Sequence, residues 1–280
     1  MWMHSWLSSS SPSPPQLDIK VAQTHLRRLL EPLVAVDGPA ALTVGDDALV
    51  GTSVDDPMVT AVEAPLHQSL CQQYEAAPGS IEIDPVALVD ILAAERDDGE
   101  LAQLSYVPEE STLRLALPSF VHTQPVDIDE TVERPDVDGS PDSVTTYHAR
   151  DDLAHVLEYF SDHSSVVACG YDKTEDECYV EGVPMGKTVP EATTRYRCPH
   201  EQVANSSTPE SVRSAFSTAK LGAIVDAVPS ETVVRVDYAE AFPIRLAWDL
   251  TGGRGIEDGT LTGVTALLAP YEVPDSTAAE

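Results

Sequence analysis

Basic residues are what this chain has least of for its size. Lysine occurs four times, and Lys and Arg together number 16 against 47 Asp and Glu, a formal net charge of −31. Phosphate recognition draws on clustered Lys and Arg, so composition taken alone argues against nucleic acid. The acidity fits a salty cytoplasm. At about 1 M salt the Debye length falls to roughly 3 Å, and repulsion between carboxylates is largely screened. Cysteine is also scarce: four thiols spread over 280 residues make no disulfide framework. No run of 18 apolar residues exists to cross a bilayer. The opening MWMHSWLSSSSPSPPQ lacks a basic n-region and a continuous apolar h-region, so it reads as a flexible tail or a misplaced start codon rather than a signal peptide. A cytoplasmic protein without a membrane partner is expected.

What is present is enough to fold. Hydrophobic residues make up 42% of the chain, which supports one large domain or two of ordinary size. Four segments carry helical period. THLRRLLEPLVAV puts Leu26, Leu29, Leu30 and Leu33 on one face with Arg27 and Arg28 beside it. DPVALVDILAAER has Asp84 as N-cap and Pro85 at the first helical position. ARDDLAHVLEYFSD is the third, and SAFSTAKLGAIVDAVPS, stopped by Pro229, is the fourth. Most of the remainder alternates or is β-rich: AALTVGDDALVGTSV, GSIEID, LAQLSYVPEESTLRLAL and ETVVRVDYAEAFPIRLAWDL.

A helix, several strands, a helix and several strands thus occur twice. LRRLLEPL at 26–33 lines up with LAHVLEYF at 153–160, an offset of 127, and STLRLAL at 111–117 lines up with FPIRLAW at 242–248, an offset of 131. Similar offsets at two separated places predict two copies of one unit of about 130 residues. Between them, residues 121–143 hold Pro and acidic residues without helical period and read as an extended linker. Its alternating Val126, Ile128 and Val132 predict a segment that lies against something. The domain plan is a tail at 1–17, a first domain at 18–120, a connector at 121–143 and a second domain with an acidic tail at 144–280.

Other signals carry little chemistry. Cys198-Pro199-His200 with Cys169 and Cys178 fits no zinc spacing, so no metal is expected. His25, His148, His155 and His163 lie near helices without a serine or cysteine motif. GVPMGKT at 182–188 lacks the spacing of a phosphate loop. Neither an enzyme nor a cofactor is indicated.

In this order the elements resemble the sliding-clamp family, proliferating cell nuclear antigen and its archaeal relatives. The stretches that carry the resemblance are LRRLLEPL, GSIEIDPVALVDIL, ERPDVDGSPDSV, FSDHSSVVACGYDKTEDECYVEG and AVPSETVVRVDYAEAFPIRLAWDL followed by LLAPYE, across about residues 18 to 275. The resemblance implies an α+β fold of two similar clamp domains. Three subunits would close head to tail, with helices lining the hole and sheets forming the outer wall. It implies a non-enzymatic clamp on duplex DNA that holds DNA polymerase, clamp loader, ligase and nuclease through short helical peptides with aromatic anchors. A ring would reconcile the acidity with DNA, because topological linkage replaces affinity.

Carried over by position, the DNA-facing residues would be Arg27, Arg28, Arg96, Arg150 and Lys220. Asp90, Ala93, Ala154, His155, Glu158 and Asp226 stand where the family is often basic. The peptide groove would be formed by Val54, Met58, Val59, Val126, Ile128, Pro243, Leu267, Ala269 and Pro270. Leu267 takes a place often held by an aromatic. At the subunit interface Thr112, Leu113, Leu115 and Leu117 would meet Thr194 and Tyr196 of a neighbour. Two other readings stay open. One is a divergent paralogue with a regulatory or weakened tethering role. The other is an acidic metal-dependent hydrolase on an unrelated α+β fold.

Overall fold

The computed structural model describes residues 16–56, 59–95, 99–128, 143–183, 194–199, 203–206, 211–251 and 263–271. The first half runs β1 (Gln16–Ala22), α1 (Gln23–Val34), β2 (Ala40–Val44), β3 (Ala48–Val54), β4 (Thr60–His67), β5 (Cys71–Ala77), β6 (Gly79–Ile83), α2 (Pro85–Ala94), β7 (Leu101–Val107), β8 (Thr112–Ala116) and β9 (Val121–Pro125). The second runs β10 (Val144–Ala149), α3 (Arg150–Ser161), β11 (Val166–Asp172), β12 (Glu177–Gly182), β13 (Arg195–Arg197), β14 (Val203–Ser206), β15 (Val212–Ser217), α4 (Thr218–Asp226), β16 (Val233–Tyr238), β17 (Ile244–Asp249) and β18 (Gly263–Leu268). Each half is one strand, a helix, five strands, a helix and three strands.

Pairing repeats as faithfully as order. One ladder is β5-β1-β7-β8-β9 and its counterpart is β14-β10-β16-β17-β18. A second is β6-β2-β3-β4 and its counterpart is β15-β11-β12-β13. All the pairings are antiparallel, with β18 joining β4 to weld two of these ladders into a nine-stranded sheet. Two matching halves are what the internal repeat predicts, and they count against the reading of an unrelated hydrolase fold.

The helices form where their sequences require it. In α1, Leu26, Leu29, Leu30 and Leu33 are fully buried against β3 and β4. In α2, the Asp84 carboxylate accepts the backbone N–H groups of Val86 and Ala87, satisfying two of the orphan donors at the helix start. Ser217 caps α4 by accepting from the N–H of Lys220. The fourth helix is shorter than its periodicity predicts. Residues 214–217 belong to β15, where Phe216 packs inward and Ser214 bonds across to the Ala239 carbonyl.

Two further sequence boundaries shift. Gln16 and Leu17 lie in β1 rather than in a tail, because Leu17 is a core residue. Residues 121–125 are a strand rather than linker. Beyond them Val126 donates to the Ser111 carbonyl, the Glu82 N–H donates to the Asp127 carbonyl, and Ile128 bridges to Ile81. The connector therefore begins by running beside β6; residues 129–142, with Val132, lie outside the described residues. The main core lies on the helix side of the sheets. A small separate cluster of Val54, Ala61 and Leu267 sits on the other face of β3, β4 and β18.

Candidate functional site

The helix face is the first candidate surface. Among the described residues the four helices hold four basic side chains and six acidic ones, so these side chains make no phosphate-binding patch by charge. Each basic member bonds within the chain. Arg27 donates to the Leu92 carbonyl at 2.8 Å, near the C-terminal end of α2, and faces Glu31 at 4.0 Å. Helix α2 has no basic residue in its own last turn, so Arg27 supplies that partner from the neighbouring helix. Arg28 donates to the Leu250 carbonyl at 3.2 Å, tying α1 to the turn after β17. Arg150 spans to α4, with Asp226 at 3.7 Å and its own neighbour Asp151 at 3.1 Å. Lys220 reaches Asp55. Arg96 lies outside the described residues.

The second surface is the opposite face of the nine-stranded sheet. Val54 lies opposite Ala61, and Ala61 lies opposite Leu267, so three adjacent strands bring these side chains into one row. The ladder continues past β18, where the Ala269 N–H donates to the Val59 carbonyl at 2.7 Å. Val59, Pro243, Ala269 and Pro270 are half-buried around this row, and Met58 lies outside the described residues. Val126 and Ile128 stand apart from it. Val126 is buried in the main core, and Ile128, 49% exposed, lies beyond the far edge strand β6. From β18 to β6 is four strand spacings, roughly 19 Å. The described members of the predicted set thus fall at two separate places, around the β3-β4-β18 row and beside β6.

Asp55 is the residue that sequence reading missed here. Its carboxylate is 5% exposed and accepts the N–H groups of Val59 and Thr60, both at 2.6 Å, as well as Lys220. Burial pushes this carboxyl up, but the bonds from Lys220 and Thr60 outweigh it and hold Asp55 below its ordinary value. Asp-Asp-Pro after a strand is a turn signal that could have marked the place. Nothing local announced Lys220, 165 positions away.

The third surface is at two sheet edges, and here the expected residues need correction. Thr112, Leu113 and Leu115 lie in β8, which is hydrogen-bonded to β7 on one side and β9 on the other. Leu113 and Leu115 are fully buried, and Leu117 follows the strand. A doubly paired strand has no edge to offer, so Thr112, Leu113 and Leu115 cannot pair with a neighbour, and the Leu117 N–H already donates to the Phe120 carbonyl. The free edge is β9. Pro125 within it fits, because proline in a sheet is confined to edges. At the start of β9 Val121 is 59% exposed, and Phe120 just before it is 39% exposed. The other expected residues lie at an edge: among the described residues, β13 with Tyr196 pairs only with β12, and Thr194 precedes it. Beside β13 lies a pocket of about 260 Å³ lined by His155, Val156, Tyr159, Phe160 and Tyr196.

The cysteines and histidines do not add a site. Cys169, Cys178 and Cys198 are buried and unbridged, and no metal-holding cluster exists among the described residues. No described helix is long and apolar enough to cross a membrane.

No protein-family model matches the chain. Among curated proteins it is 28% identical over 229 residues to the DNA polymerase sliding clamp of Natronomonas pharaonis, covering 80% of this chain and 86% of that one. It is 25% identical over 254 residues to the DNA polymerase sliding clamp of Haloarcula marismortui, covering 89% and 96%. Among solved structures it superposes on the proliferating cell nuclear antigen of Thermococcus kodakaraensis with a TM-score of 0.73 at 16% identity, covering 91% and 100%. With the A. fulgidus protein bound to the C-terminal region of FEN-1 the TM-score is 0.72 at 18% identity, covering 92% and 99%. The chain is thus a relative of haloarchaeal sliding clamps by sequence and shares the clamp fold.

Proposed function

We propose that this relative of the DNA polymerase sliding clamps closes into a homotrimeric ring around duplex DNA. There it serves as a processivity factor and docks polymerase, clamp-loader, ligase and nuclease peptides on its outer face. One observation carries the reading. Inside the chain, β18 of the second half is joined to β4 of the first. The counterparts of these strands are β9 and β13, and both have open edges among the described residues. A β9 edge that meets the β13 edge of a second copy repeats the internal joint. The contact is head to tail, so it propagates until it closes, and closure removes the exposed edges.

The internal joint also gives the register. Val62 lies opposite Ala266 and Glu63 opposite Thr265. In the first half Ser53 pairs with Val62, and in the second Gly182 faces Thr194, so Thr194 is the counterpart of Val62. Arg245 pairs with Leu267 and Arg114 with Thr123, so Thr123 is the counterpart of Leu267 and His122 that of Ala266. Across subunits His122 would therefore face Thr194, Val121 would face Arg195, and Phe120 would face Tyr196 at the mouth of the aromatic pocket. An aromatic cross-strand pair such as Phe120 with Tyr196 stabilises by about 0.2–1 kcal/mol relative to a pair of alanines.

The hole would bear the helices, and its charge favours tethering by topology over direct binding. That charge also supports a second reading, a clamp paralogue with weakened DNA contact, because each described inner-helix cation is already bonded. Light scattering in molar KCl tests the ring. Three times the 30.1 kDa chain mass is expected, reverting to one chain mass in Phe120→Asp. A wild-type monomer at micromolar concentration would remove the ring.

A further inference from the structure

We propose that Lys220, on the helix face, is a positioning residue for the partner groove on the opposite face, acting through Asp55. The proposal rests on the groove reading above, but its basis is a chain of contacts within this molecule. Lys220 lies in the first turn of α4 and ion-pairs with Asp55, which follows β3. That bond crosses between the two halves of the chain. The Asp55 carboxylate also holds the N–H groups of Val59 and Thr60, and the Asp55 N–H donates to the Thr60 carbonyl at 3.0 Å. Asp55, Val59 and Thr60 are thereby held together around a single carboxylate. From there Val59 accepts the N–H of Ala269, and on either side of it Val54 and Ala61 pack against Leu267. The Lys220 ammonium therefore stands at the end of a short series: cation, buried carboxylate, turn, groove row.

The direction of influence follows from burial. The Lys220 side chain is 41% exposed, whereas the Asp55 side chain is only 5% exposed. Removing the lysine leaves a buried carboxylate with backbone donors alone, and it must draw in water or turn outward to be solvated. Either response disturbs Val59 and Thr60. A lysine whose ammonium was committed to solvent or to phosphate would have no such effect on the far side of the sheet. Lys220 is for this reason assigned to the groove rather than to the hole.

The test reads the turn and the groove separately, on the full-length protein in molar KCl. Amide hydrogen exchange at Val59 and Thr60 is measured in wild type, Lys220→Met and Lys220→Arg. Exchange at those two amides should speed up about five-fold in Lys220→Met, while amides in α1 and β7 stay unchanged, and Lys220→Arg should restore most of the protection. A short helical peptide with two aromatic anchors is then titrated, and its Kd should rise about five-fold in Lys220→Met and recover in Lys220→Arg. Unchanged exchange at Val59 and Thr60 in Lys220→Met overturns the proposal. So does altered exchange with an unaltered peptide Kd. Failure of the peptide to bind wild type removes the groove reading and with it the functional half of the proposal, while the exchange result still decides whether Lys220 sets the turn.

Discussion

Replacing Arg27 and Arg28 together by Met separates two roles that the sequence alone runs together. Met keeps an aliphatic stem and removes the guanidinium donors. In the structure Arg27 holds the Leu92 carbonyl and Arg28 the Leu250 carbonyl, each a bond between elements far apart in the chain. A charge-assisted hydrogen bond of this kind contributes about 1.5–3 kcal/mol when buried. Both bonds are only partly buried, so about 1 kcal/mol each is the fairer magnitude. At about 2–4 °C per kcal/mol for a chain near this size, Tm should fall by about 4–8 °C. If the arginines touched phosphates, the salt dependence of DNA retention would instead weaken, by about 0.9 in log–log slope for each phosphate no longer neutralised. The assays are a thermal melt in molar KCl and retention of the protein on circular duplex DNA across a KCl series. A lower Tm with an unchanged slope is expected. An unchanged Tm with a slope reduced by about two would refute the assignment of these arginines as internal ties.

Three other outcomes follow from particular contacts. Asp55 has a lowered folded pKa, so its contribution is complete above the ordinary carboxylate value of about 4 and is lost as pH falls through the lowered value; in Asp55→Asn that acid-sensitive component of stability should vanish from a pH series of melts. A Cβ at Gly38 would lie 2.2 Å from the Val54 carbonyl oxygen, a backbone atom that cannot swing away, so Gly38→Ala should cost about 1–3 kcal/mol by denaturant titration and weaken peptide binding as Val54 shifts. Burial pushes the Cys71 thiol up to about 11 and Cys169 up to about 12, so alkylation of the folded protein should stay slow below pH 9 and become fast for these thiols only on unfolding.

Much of the architecture could be read from local pattern, because its causes are local. The leucine stripe of α1 and the Asp84-Pro85 start of α2 rest on residues within a few positions of one another, the internal offset of 127 compares two such short stretches, and the structure has α1 and α3 as helices of 12 residues each at that offset. The edge of the first sheet was not readable in the same way. VHTQP has the polarity of a linker, and only the ladder to β8 makes it a strand. Once β9 exists, β8 becomes interior and its leucines become core. The cations were legible as charges on helix faces but not as bonds, since their partners lie 65, 222 and 165 positions away. For the groove, Val54 and Leu267 were named by resemblance alone and strand pairing brings them into one row, whereas the separate place of Ile128 depends on the connector running beside β6.

The ring is tested most directly by a cross-strand disulfide between copies. The register derived from the internal joint sets His122 of one subunit opposite Thr194 of the next, and directly opposed residues in an antiparallel pair have Cα atoms about 4.5–5.5 Å apart, within disulfide reach. His122→Cys with Thr194→Cys in one chain, oxidised in molar KCl and resolved by denaturing mass analysis, should give a covalently closed trimer. Each single variant should remain a monomer under the same denaturing conditions. A double variant that stays monomeric after oxidation, while its two introduced thiols are shown to be reactive, would contradict closure through β9 and β13.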